Sequence, residues 1–106
     1  MTGLLGLLGL GLRAGQVIIG VEAVRRALQA GECRCLVVAQ DASQRALEKT
    51  VRLATARGVP QVAGPSAQEM GNRLGKPPVM VIGVRDRALA DGLIGLAAER
   101  QGATEG

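Results

Sequence analysis

The chain has 106 residues and no His, Phe, Tyr or Trp, and thirteen Lys and Arg stand against nine Asp and Glu. Without His the usual general base, metal ligand and pH switch are missing, and without aromatics recognition by base stacking is excluded. The formal charge of +4 and a pI near 10.0 favour polyanionic partners.

One domain is expected at this length, over residues 1–100, with a flexible tail over 101–106. Its core has to be aliphatic. The first predicted element is an apolar helix over residues 3–13. That stretch lacks the charged start and small-residue cleavage site of a signal peptide. It is also too short to span a bilayer, so a cytoplasmic protein with no membrane partner is expected. Gly3, Gly6 and Gly9 recur at every third position, which suggests close packing against a sheet.

Val17-Ile-Ile19 reads as a short β-branched strand. Gly20 opens a second helix with Val21, Val24 and Leu28 as its inward stripe, and Ala30-Gly31 ends it. Cys35–Ala39 is apolar on both faces and predicts an interior strand. Asp41 and Ser43 offer caps for a third helix over 43–57, with Leu47, Val51 and Ala54 inward and a Glu48–Arg52 pair outward. Val59–Ala63 predicts an edge strand because Pro60 cannot donate to a ladder. Ser66 and Glu69 form a capping box for a fourth helix ending at Gly75. A stiff loop, Lys76-Pro77-Pro78, leads into a buried strand over 79–84. Asp86 caps a last helix over 87–99. The order α-β-α-β-α-β-α-β-α predicts an α/β fold: a three-layer α-β-α sandwich, with one mixed sheet of about four strands and helices on both faces.

Several chemistries can be set aside. Cys33 and Cys35 are expected on one face of a strand, which suits neither a relaxed disulfide nor a zinc site lacking two more ligands. They read as reduced core thiols. Gly9, Gly11 and Gly15 have no strand before them, so they do not make a dinucleotide fingerprint. Glu22, Asp41 and Asp86 sit at element starts, where carboxylates act as caps and stay ionised. Ser43 and Ser66 have no His to activate them. No enzyme, metal or cofactor is expected.

The start of the second helix remains. Gly20 lets a ligand approach the backbone closely, and a helix start offers free N–H groups and partial positive charge. Glu22, Arg25 and Arg26 lie off the apolar stripe. An ordinary solvated face with a Glu22–Arg26 pair would read the same way.

The linked segments Leu7-Leu-Gly-Leu-Gly-Leu-Arg-Ala-Gly15, Gly20-x-Glu-Ala-Val-x-x-Ala-Leu28 and Gly31 extend this reading. So do Leu36-Val-Val-Ala-Gln-Asp-Ala-Ser43, Arg57-Gly-Val-Pro60 and Leu74-Gly-Lys76. Together, over residues 4–90, the chain resembles a bacterial YlxQ-type member of the L-seven-Ae/L-thirty-e ribosomal superfamily. The resemblance implies an α-β-α sandwich and binding of kink-turn RNA, a helix sharply bent around sheared G·A pairs, with no cofactor. It also implies that the second helix start meets the guanines and that the loop before the last strand packs on a flipped-out nucleotide.

The superfamily motif is Gly, then Asn-Glu, then Lys. Its Gly falls on Gly20 and its Lys on Arg26, while Glu22 and Ala23 occupy the Asn and Glu positions. The RNA-binding residues this implies are Gly20, Val21, Glu22, Arg25, Arg26, Lys76, Pro77 and Pro78, with Arg13, Gln16 and Arg73 ringing the patch. The expected protein is a non-enzymatic monomer that binds kink-turn or ribosomal RNA and associates with the ribosome. The altered motif leaves an alternative: a protein-interaction module whose RNA site has decayed.

Overall fold

A computed structural model describes residues 3–105, with backbone only over 99–105. The elements run α1 (Leu4–Arg13), β1 (Val17–Ile19), α2 (Val21–Gln29), β2 (Cys35–Val38) and α3 (Gln44–Ala56), then β3 (Gln61–Ala63), α4 (Ala67–Leu74), β4 (Val81–Val84) and α5 (Arg87–Glu105). The strands form one sheet in the order β1-β4-β2-β3. β4 is antiparallel to β1 and to β2, with Val17 opposite Val84 and Val38 opposite Val81. β2 and β3 are parallel, with Val37 opposite Val62. The sheet is therefore mixed, as expected, and β3 is an edge strand. Pro60 takes part only as an acceptor, its carbonyl receiving Leu36 N–H at 2.9 Å.

Each face of the sheet carries its own apolar cluster. Leu4 and Leu8 of α1, Met70 and Leu74 of α4, and Ala90 and Leu93 of α5 pack on one face with Val37 and Ile82. Val24, Ala27 and Leu28 of α2 and Ala54 of α3 pack on the other with Ile18, Leu36 and Val81. Those are the outer layers of an α-β-α sandwich.

Local signals explain most boundaries. Ser43 Oγ accepts from Ala46 N–H at 3.1 Å and starts α3. Ser66 and Glu69 close the capping box of α4. Asp86 Oδ2 accepts from Leu89 N–H at 2.8 Å at the start of α5. β4 begins later than residue 79 because Val79 N–H bonds to Ala67 O of α4 at 3.0 Å, drawing the chain out of the ladder. α5 is helical to Glu105, past the expected end near residue 99 and through most of the segment read as a tail. Ala97-Ala-Glu-Arg-Gln101 contains good helix formers and no proline to stop it.

Other expectations need correction. The inward stripe of α3 is Ala46, Thr50 and Ala54, while Leu47 and Val51 are only half-buried. Thr50 fits that stripe because its hydroxyl donates to Ala46 O at 2.7 Å. Glu48 accepts from Gln44 Nε2 at 3.4 Å rather than pairing with Arg52. Asp41 caps the wrong helix for the expectation: its Oδ1 accepts from Ala67 N–H at 2.8 Å, at the start of α4. In α1 the tight glycine is Gly11, where a Cβ would lie 2.9 Å from Val17 Cγ1. Gly9 faces Arg73 of α4 and Gly3 faces open space.

Cys33 and Cys35 lie in the two opposite clusters, because Cys33 precedes β2 and its side chain turns the other way. Both are free and buried. Burial pushes the Cys33 thiol up, and burial with the neighbouring Cys33 and Asp91 charges pushes Cys35 to about 12. Neither is a thiolate near neutral pH.

Candidate functional site

The topology brings two distant segments to one edge. β1 and β2 both run antiparallel to β4, so their C-terminal ends lie where β4 begins. α2 follows β1 and α3 follows β2, so both helices start at this edge. The loop entering β4 arrives at the same place. Ile19, Gly20 and Val21 from one segment and Lys76, Pro77, Pro78, Val79 and Met80 from the other line a hollow of about 320 Å³.

Gly20 is the N-cap of α2, with φ 103° and ψ 150°. That backbone region is open essentially only to glycine, while a Cβ there would meet nothing within 4 Å. The requirement for glycine is therefore conformational, and the side above it is open to a ligand. Val24 N–H is the first helix donor satisfied, by Gly20 O at 2.9 Å. The N–H groups of the preceding turn are those that carry the positive end of the helix dipole.

On the other wall, Gly71 of α4 holds the loop in place. A Cβ at Gly71 would run into the Pro77 carbonyl and come within 2.8 Å of Lys76 O. Lys76, Pro77 and Pro78 are exposed, with Val79 buried beneath them. Lys76 N–H bonds to Gly71 O at 2.8 Å. The role of Gly71 was not visible in the sequence, where it reads as a weak helix former.

Glu22, Arg25 and Arg26 follow on α2, and their partners differ from expectation. Glu22 pairs with Lys49 of α3 at 2.8 Å, not with Arg26. The hydrogen bond and charge of Lys49 hold the Glu22 carboxyl below its usual range, with smaller help from Arg45 and Arg25. Arg25 is half-buried, and its Nη1 donates to Lys49 O at 3.0 Å, tying α2 to α3. Arg26 remains exposed. No local sequence signal marks Lys49, because its link to Glu22 is tertiary.

Arg13 and Gln16 are not brought to this edge. Gln16 lies before β1, and its carbonyl receives Arg85 N–H at 2.8 Å at the opposite end of the sheet. The three residues of β1 lie between it and Gly20, a span of roughly 13 Å. Arg13 lines a different hollow, with Arg73, Gly9 and Leu10 between α1 and the end of α4. Among the described residues no group of three or more His, Cys, Asp or Glu could hold a metal. No described helix is long and apolar enough to cross a membrane.

Comparison with known proteins agrees with this architecture. The model of the ribosomal protein L7Ae/L30e/S12e/Gadd45 family matches residues 4–93. The chain belongs to this family. A Bacillus halodurans protein of unknown function matches with a TM-score of 0.85 and 30% identity, over 92% of this chain and 99% of that one. The 15.5 kD RNA-binding protein of Giardia lamblia shares the fold, with a TM-score of 0.71 and 20% identity, over 91% of this chain and 82% of that one. No curated protein matches the chain. Within the family's L7Ae-type fold, Gly20 and the 76–80 loop occupy one shared surface of this chain.

Proposed function

We propose that this chain is a non-enzymatic, YlxQ-type RNA-binding protein that recognises kink-turn-like structured RNA and works as a monomer on ribosomal or ribosome-associated RNA. Family membership and the RNA-binding activity named for the Giardia lamblia protein support the general reading. The single observation that carries the site is the meeting of the α2 start with the Lys76–Met80 loop around one open hollow.

The chemistry follows from those walls. Val21, Pro77, Pro78 and Met80 give the hollow apolar sides, suited to a nucleotide turned out of a bent helix without aromatic stacking. The helix start and Lys76 supply positive charge for the flanking phosphates. Arg26 offers a guanidinium fork that fits guanine O6 and N7. Glu22 has one oxygen engaged by Lys49, and its other can accept from guanine N1–H or the amino group. Ala23 adds no polar contact, so discrimination is weaker by about 1–3 kcal/mol than with a complete pair of polar readers.

A gel-shift with a kink-turn RNA and an unbent duplex of equal length tests this. The kink-turn is expected to bind more tightly. Affinity should fall with salt at a log–log slope of roughly −3 to −4.5 for three to five phosphate contacts. Arg26→Glu should abolish binding without changing the melting temperature. Equal binding of the two RNAs, or normal affinity in that variant, would refute the assignment.

A further inference from the structure

A second charged feature starts at the same edge and runs away from it. Arg45, Lys49 and Arg52 are spaced i, i+4 and i+7 on α3, so they share one face. Lys49 fixes which face this is, because it pairs with Glu22 and its carbonyl receives Arg25 from α2. Arg25 and Arg26 of α2 therefore border the same strip. Arg26, Arg45 and Arg52 are exposed, and among the described residues the ion pair is Lys49–Glu22.

The charge balance singles this face out. Its five cations stand against Glu22 and Glu48, leaving three of the four excess charges of the chain on α2 and α3. From Arg45 to Arg52 the strip rises about 10 Å, which in projection on a duplex axis covers about three phosphates of one strand.

We propose that this strip is a phosphate track. It carries the backbone of a structured RNA away from the Gly20 hollow and along the outer face shared by α2 and α3. The proposal rests on the reading that the hollow binds RNA. A nucleic-acid backbone is favoured over a protein partner because the strip has charge but no apolar anchor. Among the described residues the exposed large hydrophobic is Leu10, on α1 on the other side of the sheet, and protein interfaces depend on buried apolar or aromatic anchors. The Glu22–Lys49 pair suits the same purpose, since it occupies the carboxylate of α2 and leaves the exposed Arg26, Arg45 and Arg52 to meet phosphate. The track is indifferent to base sequence and adds affinity, not discrimination.

The test is the double variant Arg45→Gln/Arg52→Gln, with Arg85→Gln/Arg87→Gln, exposed between β4 and α5 at the opposite end of the sheet, as control. Binding of a kink-turn RNA and an unbent duplex is measured between low and moderate salt, after melting curves establish the fold. The α3 variant should flatten the log–log salt slope by about 1.4–1.8. It should weaken both RNAs by the same factor, so that their ratio is unchanged, and the control should match the wild type. Intact RNA binding with an unchanged slope would overturn the track alone. A changed kink-turn-to-duplex ratio would also overturn it, because the arginines would then be reading shape or base. Wild-type protein that binds neither RNA would instead overturn the reading of the hollow.

Discussion

Gly20→Ala probes the backbone that shapes the candidate site. At φ 103° and ψ 150° an alanine is strained by about 1–3 kcal/mol. Restricting the unfolded chain returns about 0.4–1 kcal/mol. No steric cost adds to this, because the new methyl meets nothing within 4 Å. Mid-range values of the two give a net loss of about 1.3 kcal/mol, or a fall in melting temperature of about 5–10 °C for a domain of this size. Gly95→Ala is the matched opposite. Gly95 lies in α5 without a positive φ and with open space around its Cα. Alanine there should raise stability by about 0.5–1 kcal/mol. Thermal unfolding followed by circular dichroism reads both. A Gly20→Ala protein as stable as the wild type would show that the entry to α2 does not have this geometry.

Three further outcomes are expected. Gly71→Ala forces a methyl into the Lys76 and Pro77 carbonyls, so it should cost about 1–3 kcal/mol by overpacking and weaken RNA binding by shifting the loop; unchanged affinity and melting would mean the loop does not rest on α4. Asp41→Ala removes the acceptor for Ala67 N–H and should cost about 0.5–2 kcal/mol in urea unfolding, as a lost helix-start contact does; no change in midpoint would assign that amide another partner. The buried thiols should resist iodoacetamide until the protein is unfolded. Because the folded Cys35 ionises near 12 and an ordinary thiol near 9.0, the unfolded chain loses its proton first. Stability should then fall as pH rises from about 9 towards 12, and Cys35→Ala should flatten that decline; rapid native-state labelling at pH 8 would contradict the burial.

Element order and layer architecture were legible because most boundaries carry a local signal. Ser66 and Glu69, Ser43, Asp86 and Pro60 act within a turn or a strand of their own position, and each does what its residue type requires. What failed was information that crosses elements. Asp41 reaches α4 although it stands just ahead of α3, because the end of β2 and the start of α4 meet at one edge. The α3 stripe lies one position from the expected one because Thr50 hides its hydroxyl against Ala46 O and so joins the core. Strand alternation does not relate Cys33 to Cys35, because β2 starts at Cys35 and Cys33 lies before it.

The site divides in the same way. Gly20, Val21, Lys76, Pro77 and Pro78 were singled out from the motif positions, and they meet around one hollow. Arg13 and Gln16 are close to Gly20 in the chain but lie across the length of β1 from it. The partner of Glu22 was unreadable, since Lys49 belongs to a helix whose angle against α2 is set by packing of Val24, Leu28 and Ala54.

Hydrogen exchange of the protein with and without a kink-turn RNA tests the location of the interface most directly. Slower exchange is expected in peptides covering residues 20–26 and 76–80, with lesser protection along 45–52. Protection centred instead on the opposite end of the sheet, around Gln16, Arg34 and Arg85, would contradict the assignment.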